Sequence, residues 1–164
     1  MDPGQSNSSQ QNQPVEIINF SDDLKDCIKT LNYEWLERYF RVETSDAISL
    51  ANPREQIIDK GGFIFYAKLG DEIVGTASLL NKGHAVFEIG KMAVTDSAQG
   101  HGIGALLLKH CLLVARQQGV KKLILYSNTK LKPAIQLYTK YGFVETRLEQ
   151  GLYERANIKM EKCM

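Results

Sequence analysis

Gln99-Gly100-His101-Gly102-Ile103-Gly104-Ala105 stands between an apolar, strand-like stretch ending at Val94 and a leucine-rich helical one beginning at Ile103. Three glycines in five residues remove the β-carbons that would hold a ligand away from the backbone. The helix behind them aims its first unpaired N–H groups, and the positive end of its dipole, at whatever occupies the loop. Such a place suits a pyrophosphate. Two nucleotide motifs compete for these glycines. A dinucleotide fingerprint requires G-x-G-x-x-G and an acid about 20 positions on, whereas the spacing here is G-x-G-x-G and the next strand ends in Tyr126-Ser127-Asn128. A P-loop requires Lys-Ser/Thr after its last glycine, and Gly104 is followed by Ala105-Leu106. A tight strand-to-helix turn with no ligand is the plain alternative for an isolated G-x-G.

Upstream, Val15–Phe20 reads as a strand. Ser21 reads as the cap of a helix through about Phe40, with Asp22 and Asp23 in its first turn and Leu24, Ile28, Leu31, Trp35 and Leu36 at helical spacing. Asp46–Lys60 reads as a shorter helix or a pair of turns, broken near Pro53 and stopped by Gly61-Gly62. The period then drops to two. Phe63–Leu69, a Gly70-Asp71 turn and Ile73–Leu80 predict a β-hairpin, and His84–Val94 a further strand. Downstream, the spacing predicts a helix over Ile103–Gln118 stopped by Gly119, a short buried strand over Lys121–Tyr126, and a last helix over Ala134–Lys140 after Pro133. Phe143–Leu148 and Leu152–Met160 read as a closing strand pair around Gln150-Gly151. The order β-α-α-β-β-β-α-β-α-β-β is mixed α/β, without the steady alternation of a doubly wound sheet.

The 164 residues accommodate one domain, expected over 15–164, behind a leader at 1–14 whose Gln, Asn, Ser and Pro have nothing to bury and predict disorder. A net charge of +1 argues against broad attraction to nucleic acid or an anionic membrane. Cys27, Cys111 and Cys163 are widely spaced without C-x-x-C, as reduced thiols in a cytoplasmic protein would be. No apolar run approaches the roughly 20 residues that span a bilayer, and the polar N-terminus does not read as a secretory leader. His84, His101 and His110 share no metal-ligand spacing with each other or the cysteines, so no metal is expected.

Gln99-x-x-Gly102-x-Gly104, preceded by Lys91-Met92-Ala93-Val94, resembles the signature R/Q-x-x-G-x-G/A of the GNAT superfamily of acetyl-CoA-dependent N-acetyltransferases. Asn128-(x5)-Ala134-x-x-Leu137-Tyr138-x-x-Tyr141-Gly142-Phe143 is similar to that family's second signature, N-x(n)-A-x-x-L-Y-x-x-x-G-F. The likeness covers about residues 15–162 and is strongest from His84 to Phe143. Gln99 stands where Arg is commoner, at a position whose role lies mainly in the backbone. The resemblance implies a single-domain GNAT fold of the α/β (α+β) class. Its mixed, mostly antiparallel sheet of about seven strands would be flanked by helices and splayed into a V between the fourth and fifth strands. It implies acetyl-CoA as co-substrate, with the backbone amides of Gln99, Gly100, His101, Gly102, Ile103, Gly104 and Ala105 on the pyrophosphate. Met92, Ala93 and Val94 would pair with the pantetheine arm as a missing strand would, with Asn128 and Ala134 on its other side.

Acetyl transfer to an amine passes through a tetrahedral intermediate. It requires an ammonium to lose a proton, an oxyanion to be stabilised and a thiolate to be protonated. The resemblance places Tyr138 at the leaving thiolate, the N–H of Val94 at the oxyanion, and Glu88 where the histone-acetyltransferase branch carries its catalytic glutamate. A phenol with a pKa of about 10 can donate to a thiolate whose acid titrates near 8.5; the competing reading of Tyr138 is a helix tyrosine in the core. Even spacing puts Glu88, Gly90, Met92 and Val94 on one strand face unless a bulge intervenes. An acid within Ala85-Val86-Phe87-Glu88-Ile89 costs free energy if buried without a partner, and burial would raise its pKa into a useful range. A rim glutamate paired with a substrate cation or with Lys91, water taking the proton, is equally open.

Tyr33, Trp35, Tyr39 and Phe40 are candidates to line an acceptor site or to pack the first helix. The acids Glu34, Glu37, Glu43 and Asp46 would suit a cationic acceptor, though surface helices commonly carry such charges. His110 is expected on the solvated flank of the long helix, and Lys121, Lys122, Lys130 and Lys132 on the surface or at a 3′-phosphate. The expected activity is acetyl transfer from acetyl-CoA to a primary amine of a small molecule (amino acid, polyamine or xenobiotic). A peptide or protein acceptor is the second reading and a non-catalytic acyl-CoA-binding module the third. The expected partners are acetyl-CoA and the amine, with no nucleic acid or membrane, and the chain a monomer or homodimer.

Overall fold

In a computed structural model describing residues 14–164, seven strands form one sheet in the order β1-β2-β3-β4-β5-β7-β6. They are β1 (Val15–Asn19), β2 (Phe63–Leu69), β3 (Glu72–Asn81), β4 (Val86–Val94), β5 (Lys122–Ser127), β6 (Val144–Thr146) and β7 (Ile158–Cys163). Every neighbouring pair is antiparallel except β4 and β5, which run parallel because the helix between them returns the chain to the same end of the sheet. Their ladder covers only Val86–Glu88 against Lys122–Ile124. Beyond Glu88 the two strands part, which is the expected V between the fourth and fifth strands.

Helices cover both faces. On one, α3 (Ile103–Gln117) lays Ile103, Leu107, Leu108, Cys111, Leu112 and Ala115 against the alternate residues of the sheet, and α4 (Lys132–Lys140) adds Tyr138. A fully buried leucine such as Leu107 or Leu108 stabilises the fold by about 1.5–3 kcal/mol. On the other face, α1 (Lys25–Tyr39) and α2 (Thr44–Ala51) bury Ile28, Leu36 and Leu50 with Tyr66 and Ile64 of β2. No helix among the described residues is long and apolar enough to cross a membrane.

Several boundaries differ from the sequence reading. Ser21 makes no side-chain cap; a single 3-10 turn, Asp22–Leu24, precedes α1. The Asp46–Lys60 stretch resolves into α2, closed at its start by a reciprocal capping box of Glu43 and Asp46, followed by one π turn at Arg54–Ile58. His84 and Ala85 sit at φ +54° and +60° and lie outside β4, which starts at Val86. The largest difference is at the end. The closing strands are only Val144–Thr146 and Ile158–Cys163, and residues 147–157 form a loop between them. Within Leu152–Met160 only Ala156–Met160 alternates, and the ladder against β5 that buries Ile158 and Met160 begins at Ile158. Of the expected leader, residues 1–13 lie outside the described residues.

Candidate active site

β4 does not keep its alternation. Thr76 pairs with Ala93 but Ser78 with Gly90, so Lys91 and Met92 together oppose Ala77, and Lys91 takes φ +50°. This β-bulge turns the side chains over. Phe87 and Ile89 face the α3 side, and after the bulge Met92 and Val94 join them. Glu88 and Lys91 face the α1 side instead. The expected common face of Glu88, Gly90, Met92 and Val94 therefore breaks at the bulge. α1 holds the distortion in place: the buried Asn32 donates to the carbonyl of Lys91 at 3.1 Å and to that of Ile28 at 2.9 Å, while the indole N–H of Trp35 donates to its Oδ1 at 3.1 Å.

Where β4 and β5 diverge lies a cleft of about 690 Å3. At one end is the glycine loop. Gly100 and Gly102 take φ +82° and +75°, conformations that L side chains resist, and Gly102 is the N-cap of α3. The first N–H of α3 to find an intrahelical acceptor is that of Leu106, to Gly102, so the amides ahead of it are directed outwards. Gly104 is helical and opens onto the slot, where a Cβ would meet the ends of Met92 and Leu137 at 3.6 and 3.7 Å. The loop is clipped to α1, since Glu34 accepts from the Thr95 hydroxyl at 3.0 Å and the Asp96 N–H at 2.9 Å.

The N–H of Thr95 turns to Val74 of β3 at 2.8 Å, so the peptide groups of Val94 face the splay. Its carbonyl there accepts from the Gln99 side chain at 3.0 Å. Of the residues expected on the cofactor, Met92, Ala93, Val94, Gln99, Gly100, Gly102, Ile103, Gly104, Asn128 and Ala134 line the cleft, whereas His101 and Ala105 do not. Both ends of the Asn128 side chain are engaged: it donates to the carbonyl of Arg155 at 2.7 Å and accepts from the N–H of Lys130 at 2.9 Å.

Tyr138 and Glu88 both line the cleft, but from opposite faces of the sheet. Tyr138 lies on the α3 side, edge-on to Phe143, with its hydroxyl 3.8 Å from the sulfur of Met92. Burial pushes its pKa up to about 12, so it stays a proton donor at neutral pH. Glu88, only 3% exposed, lies on the α1 side. Its Oε2 accepts from the Tyr153 hydroxyl at 3.0 Å. Its Oε1 is 3.7 Å from Lys82 Nζ and has no hydrogen-bond donor among the described residues. Burial raises its pKa, and the nearby Lys82 charge and the Tyr153 hydrogen bond offset that only in part.

The loop 147–157 supplies what the sequence did not disclose. Arg155 forks onto the fully buried Asp46, with Nη1 to Oδ2 at 2.5 Å and Nη2 to Oδ1 at 2.9 Å, and reaches Glu43 at 2.8 Å. Lys91 completes the cluster at 3.0 Å from Asp46 Oδ1. Burial alone would raise the Asp46 pKa, but the hydrogen bonds from Arg155 and the Lys91 charge outweigh it and hold it below the usual value. The Arg155 guanidinium also lies between the rings of Tyr153 and Trp35, 5.0 and 5.7 Å from their centroids.

Glu34, Glu43 and Asp46, read as candidates for a cationic acceptor, are thus engaged within the protein. Trp35, Tyr39 and Phe40 do line the cleft, whereas Tyr33 packs below it under Lys29. His110, expected to be solvated, sets its ring 4.5 Å edge-on to Phe65, and burial lowers its pKa.

A parted parallel strand pair, a bulge beside it and a glycine loop at a helix start coincide with a match of residues 29–143 to the acetyltransferase (GNAT) family model. The chain belongs to the GNAT acetyltransferase family. N-acetyltransferase 8B of Rattus norvegicus is 29% identical over 98 residues, 57% of this chain and 44% of that protein. The chain spans about half the length, or less, of the curated relatives it matches. A GNAT-family acetyltransferase of Staphylococcus aureus Mu50 shares the fold at TM-score 0.83 and 20% identity, over 92% of this chain and 99% of its own. PaiA N-acetyltransferase of Thermoplasma acidophilum, solved with coenzyme A, does so at TM-score 0.71 and 18% identity, over 92% of this chain and 99% of its own.

Proposed function

We propose that this GNAT-family chain transfers acetyl from acetyl-CoA to a primary amine of a small molecule. The observation that carries the reading is that one gap in the sheet has Glu88 at its α1 face, Tyr138 at its α3 face and the glycine loop at its end. When bound, acetyl-CoA supplies the activated acyl group as a thioester. The outward amides of the loop and of the first turn of α3 hold its pyrophosphate. The bulged edge of β4 at Met92–Val94 takes the pantetheine arm in place of the strand that β5 no longer provides. The splay-facing N–H of Val94 is the oxyanion donor.

Glu88 accepts a proton from the acceptor ammonium, whose nitrogen then bonds the acetyl carbon as the carbon–sulfur bond breaks. Tyr138 donates to the departing sulfur. Of the two protons the nitrogen loses, one ends on sulfur and one in solvent. A small acceptor is supported by the loop 147–157, which walls the α1 side through the clasp of Arg155 on Asp46 and Glu43. Free Cys27, Cys111 and Cys163 fit a cytoplasmic setting.

The test is coenzyme A release from acetyl-CoA over a panel of small amines and lysine peptides, beside calorimetric titration with acetyl-CoA. Turnover of small amines supports the reading. Turnover of peptides alone moves the acceptor to proteins, and tight acetyl-CoA binding without turnover makes the chain a binding module.

A further inference from the structure

The two oxygens of Glu88 are held in different ways. Oε2 accepts from the Tyr153 hydroxyl at 3.0 Å. Oε1 lies buried 3.7 Å from the Lys82 ammonium, with no hydrogen-bond donor among the described residues. Lys82 follows β3 directly and acts by its charge. Tyr153 comes from the 147–157 loop, which has no strand or helix of its own to fix a side chain. Such a segment keeps a buried hydrogen bond only if it is tied down elsewhere.

Arg155 ties it, two residues beyond Tyr153. Its guanidinium forks onto Asp46 of α2 and reaches Glu43, whose carboxylate also accepts from the Glu154 N–H at 2.9 Å. Its carbonyl accepts from the Asn128 side chain just past the end of β5. The guanidinium lies against the Tyr153 ring and, on α1, the Trp35 ring. Asp46 is fully buried and the Arg155 side chain only 16% exposed, so this is an interior anchor. The Arg41–Glu154 pair of the same loop is 70% exposed on both sides and can hold little.

We propose that Arg155 is a positioning residue for the acetyl transfer, holding the Tyr153 hydroxyl on Oε2 of Glu88 through its clasp on Asp46 and Glu43. The inference rests on the N-acetyltransferase reading, with Glu88 as the base. A hydroxyl that donates to a carboxylate favours the ionised form, so the clasp keeps the base ready at lower pH than burial alone allows. The other groups around Glu88 are accounted for. Lys82 stands between β3 and β4, Lys91 of β4 is paired with Asp46, and the Tyr126 hydroxyl of β5 is taken by Glu149. Beside β4, α1 places the uncharged Asn32 and Trp35.

The test follows the Glu88 carboxyl itself by 13C NMR of glutamate-labelled protein across pH, its signal assigned by its loss in Glu88→Gln. Tyr153→Phe removes the hydrogen bond, and Glu88 is expected to hold its proton about tenfold more tightly, a midpoint about one pH unit higher. Arg155→Lys keeps a cation for Asp46 and Glu43 but loses the fork, and is expected to move the midpoint the same way. Glu43→Gln, the milder variant, moves it less far. The double variant Tyr153→Phe/Arg155→Lys should go no further than Tyr153→Phe, whereas Lys82→Met should add to it, because only Arg155 acts through Tyr153. The acid limb of kcat/KM should follow each midpoint.

A merely structural Arg155 lowers Tm and leaves the Glu88 titration at the parent midpoint, which overturns the proposal, as does a Tyr153→Phe midpoint that stays put. A midpoint that moves while the acid limb stays detaches the clasp from the reaction and overturns it too. The titration needs no acceptor. Absence of turnover in the parent with every amine therefore counts against the N-acetyltransferase reading alone, and the clasp is still decided by the NMR midpoints.

Discussion

The Tyr153 hydroxyl donates to Oε2 of Glu88 at 3.0 Å, while Oε1 of the same carboxylate lies buried 3.7 Å from the Lys82 ammonium, without a hydrogen-bond donor among the described residues. Burial raises the pKa of both groups, the Glu88 charge adding to the rise at Tyr153, so the phenol stays protonated while the carboxylate titrates. One oxygen is thereby fixed by a hydrogen bond and the other only by a neighbouring charge.

Glu88→Gln keeps the shape and removes the base. Its kcat/KM falls on the order of tenfold to a thousandfold. In the parent protein kcat/KM climbs as pH rises through the raised Glu88 pKa, because the base must be ionised, and the variant loses that acid limb. The stability sign is opposite. A carboxylate with a raised folded pKa contributes stability below its unfolded value and loses it as pH rises through the folded one. Glu88→Gln therefore raises Tm at neutral pH. Rate–pH profiles and thermal melts check both, and a fully active variant removes Glu88 from the chemistry.

Tyr138→Phe deletes a hydroxyl whose described neighbour is the Met92 sulfur, so packing changes little. Stopped-assay rates are expected to show kcat down by about tenfold to a hundredfold, with the acetyl-CoA Kd from calorimetry within about twofold of the parent. Unchanged kcat would make Tyr138 a core tyrosine.

Gly104→Val puts branched methyls into the slot, where a Cβ already stands 3.6 Å from Met92 Cε and 3.7 Å from Leu137 Cδ2. Gly104 is helical, so the backbone is not strained. Acetyl-CoA binding is expected to weaken by at least about tenfold while Tm holds. Gly102→Val, at φ +75°, loses about 1–2 kcal/mol of stability as well.

Asp46→Ala leaves Arg155 and Lys91 without their common partner and costs about 3 kcal/mol, measured by urea unfolding. Because the Asp46 pKa is held below its ordinary 3.8, its contribution is present above that value and is lost as pH falls through the lowered one. Acid unfolding of the parent should steepen there and that of the variant should not.

Asn32→Ala removes the donor to the Lys91 carbonyl at the bulge. A loss of about 1–3 kcal/mol is expected together with weaker acetyl-CoA binding, since the edge offered to the pantetheine is shaped by that bulge. A variant that loses stability with unaltered Kd would separate the bulge from binding.

What the sequence disclosed is local. The glycine loop and α3 could be read because the turn chemistry, the apolar stripe and Gly119 lie next to one another. The second motif at Asn128–Phe143 is likewise contiguous, as are the β2–β3 strands around Gly70. Glu88 could be singled out because an acid in an apolar strand is conspicuous. The clasp could not. Arg155 is 109 residues from Asp46, and Tyr153 is 65 from Glu88. Nothing near Asp46 separates a buried ligand of Arg155 from an ordinary first-turn helix acid. The alternation of Ala156–Met160 also runs back from β7 into the end of the 147–157 loop, so the start of that strand is blurred in the sequence. The side to which Met92 points likewise hung on one bulge, set by Asn32 from another element.

Glu88 and Tyr138 reach one gap from opposite sides of a single sheet. On the proposed reading a donor lying along β4 from the glycine loop and an acceptor beside Trp35 would occupy different parts of one cleft, so neither would have to leave before the other arrives. Initial-rate lines in double-reciprocal plots should therefore intersect rather than run parallel, the mark of two substrates held together and of no acetyl group parked on the protein.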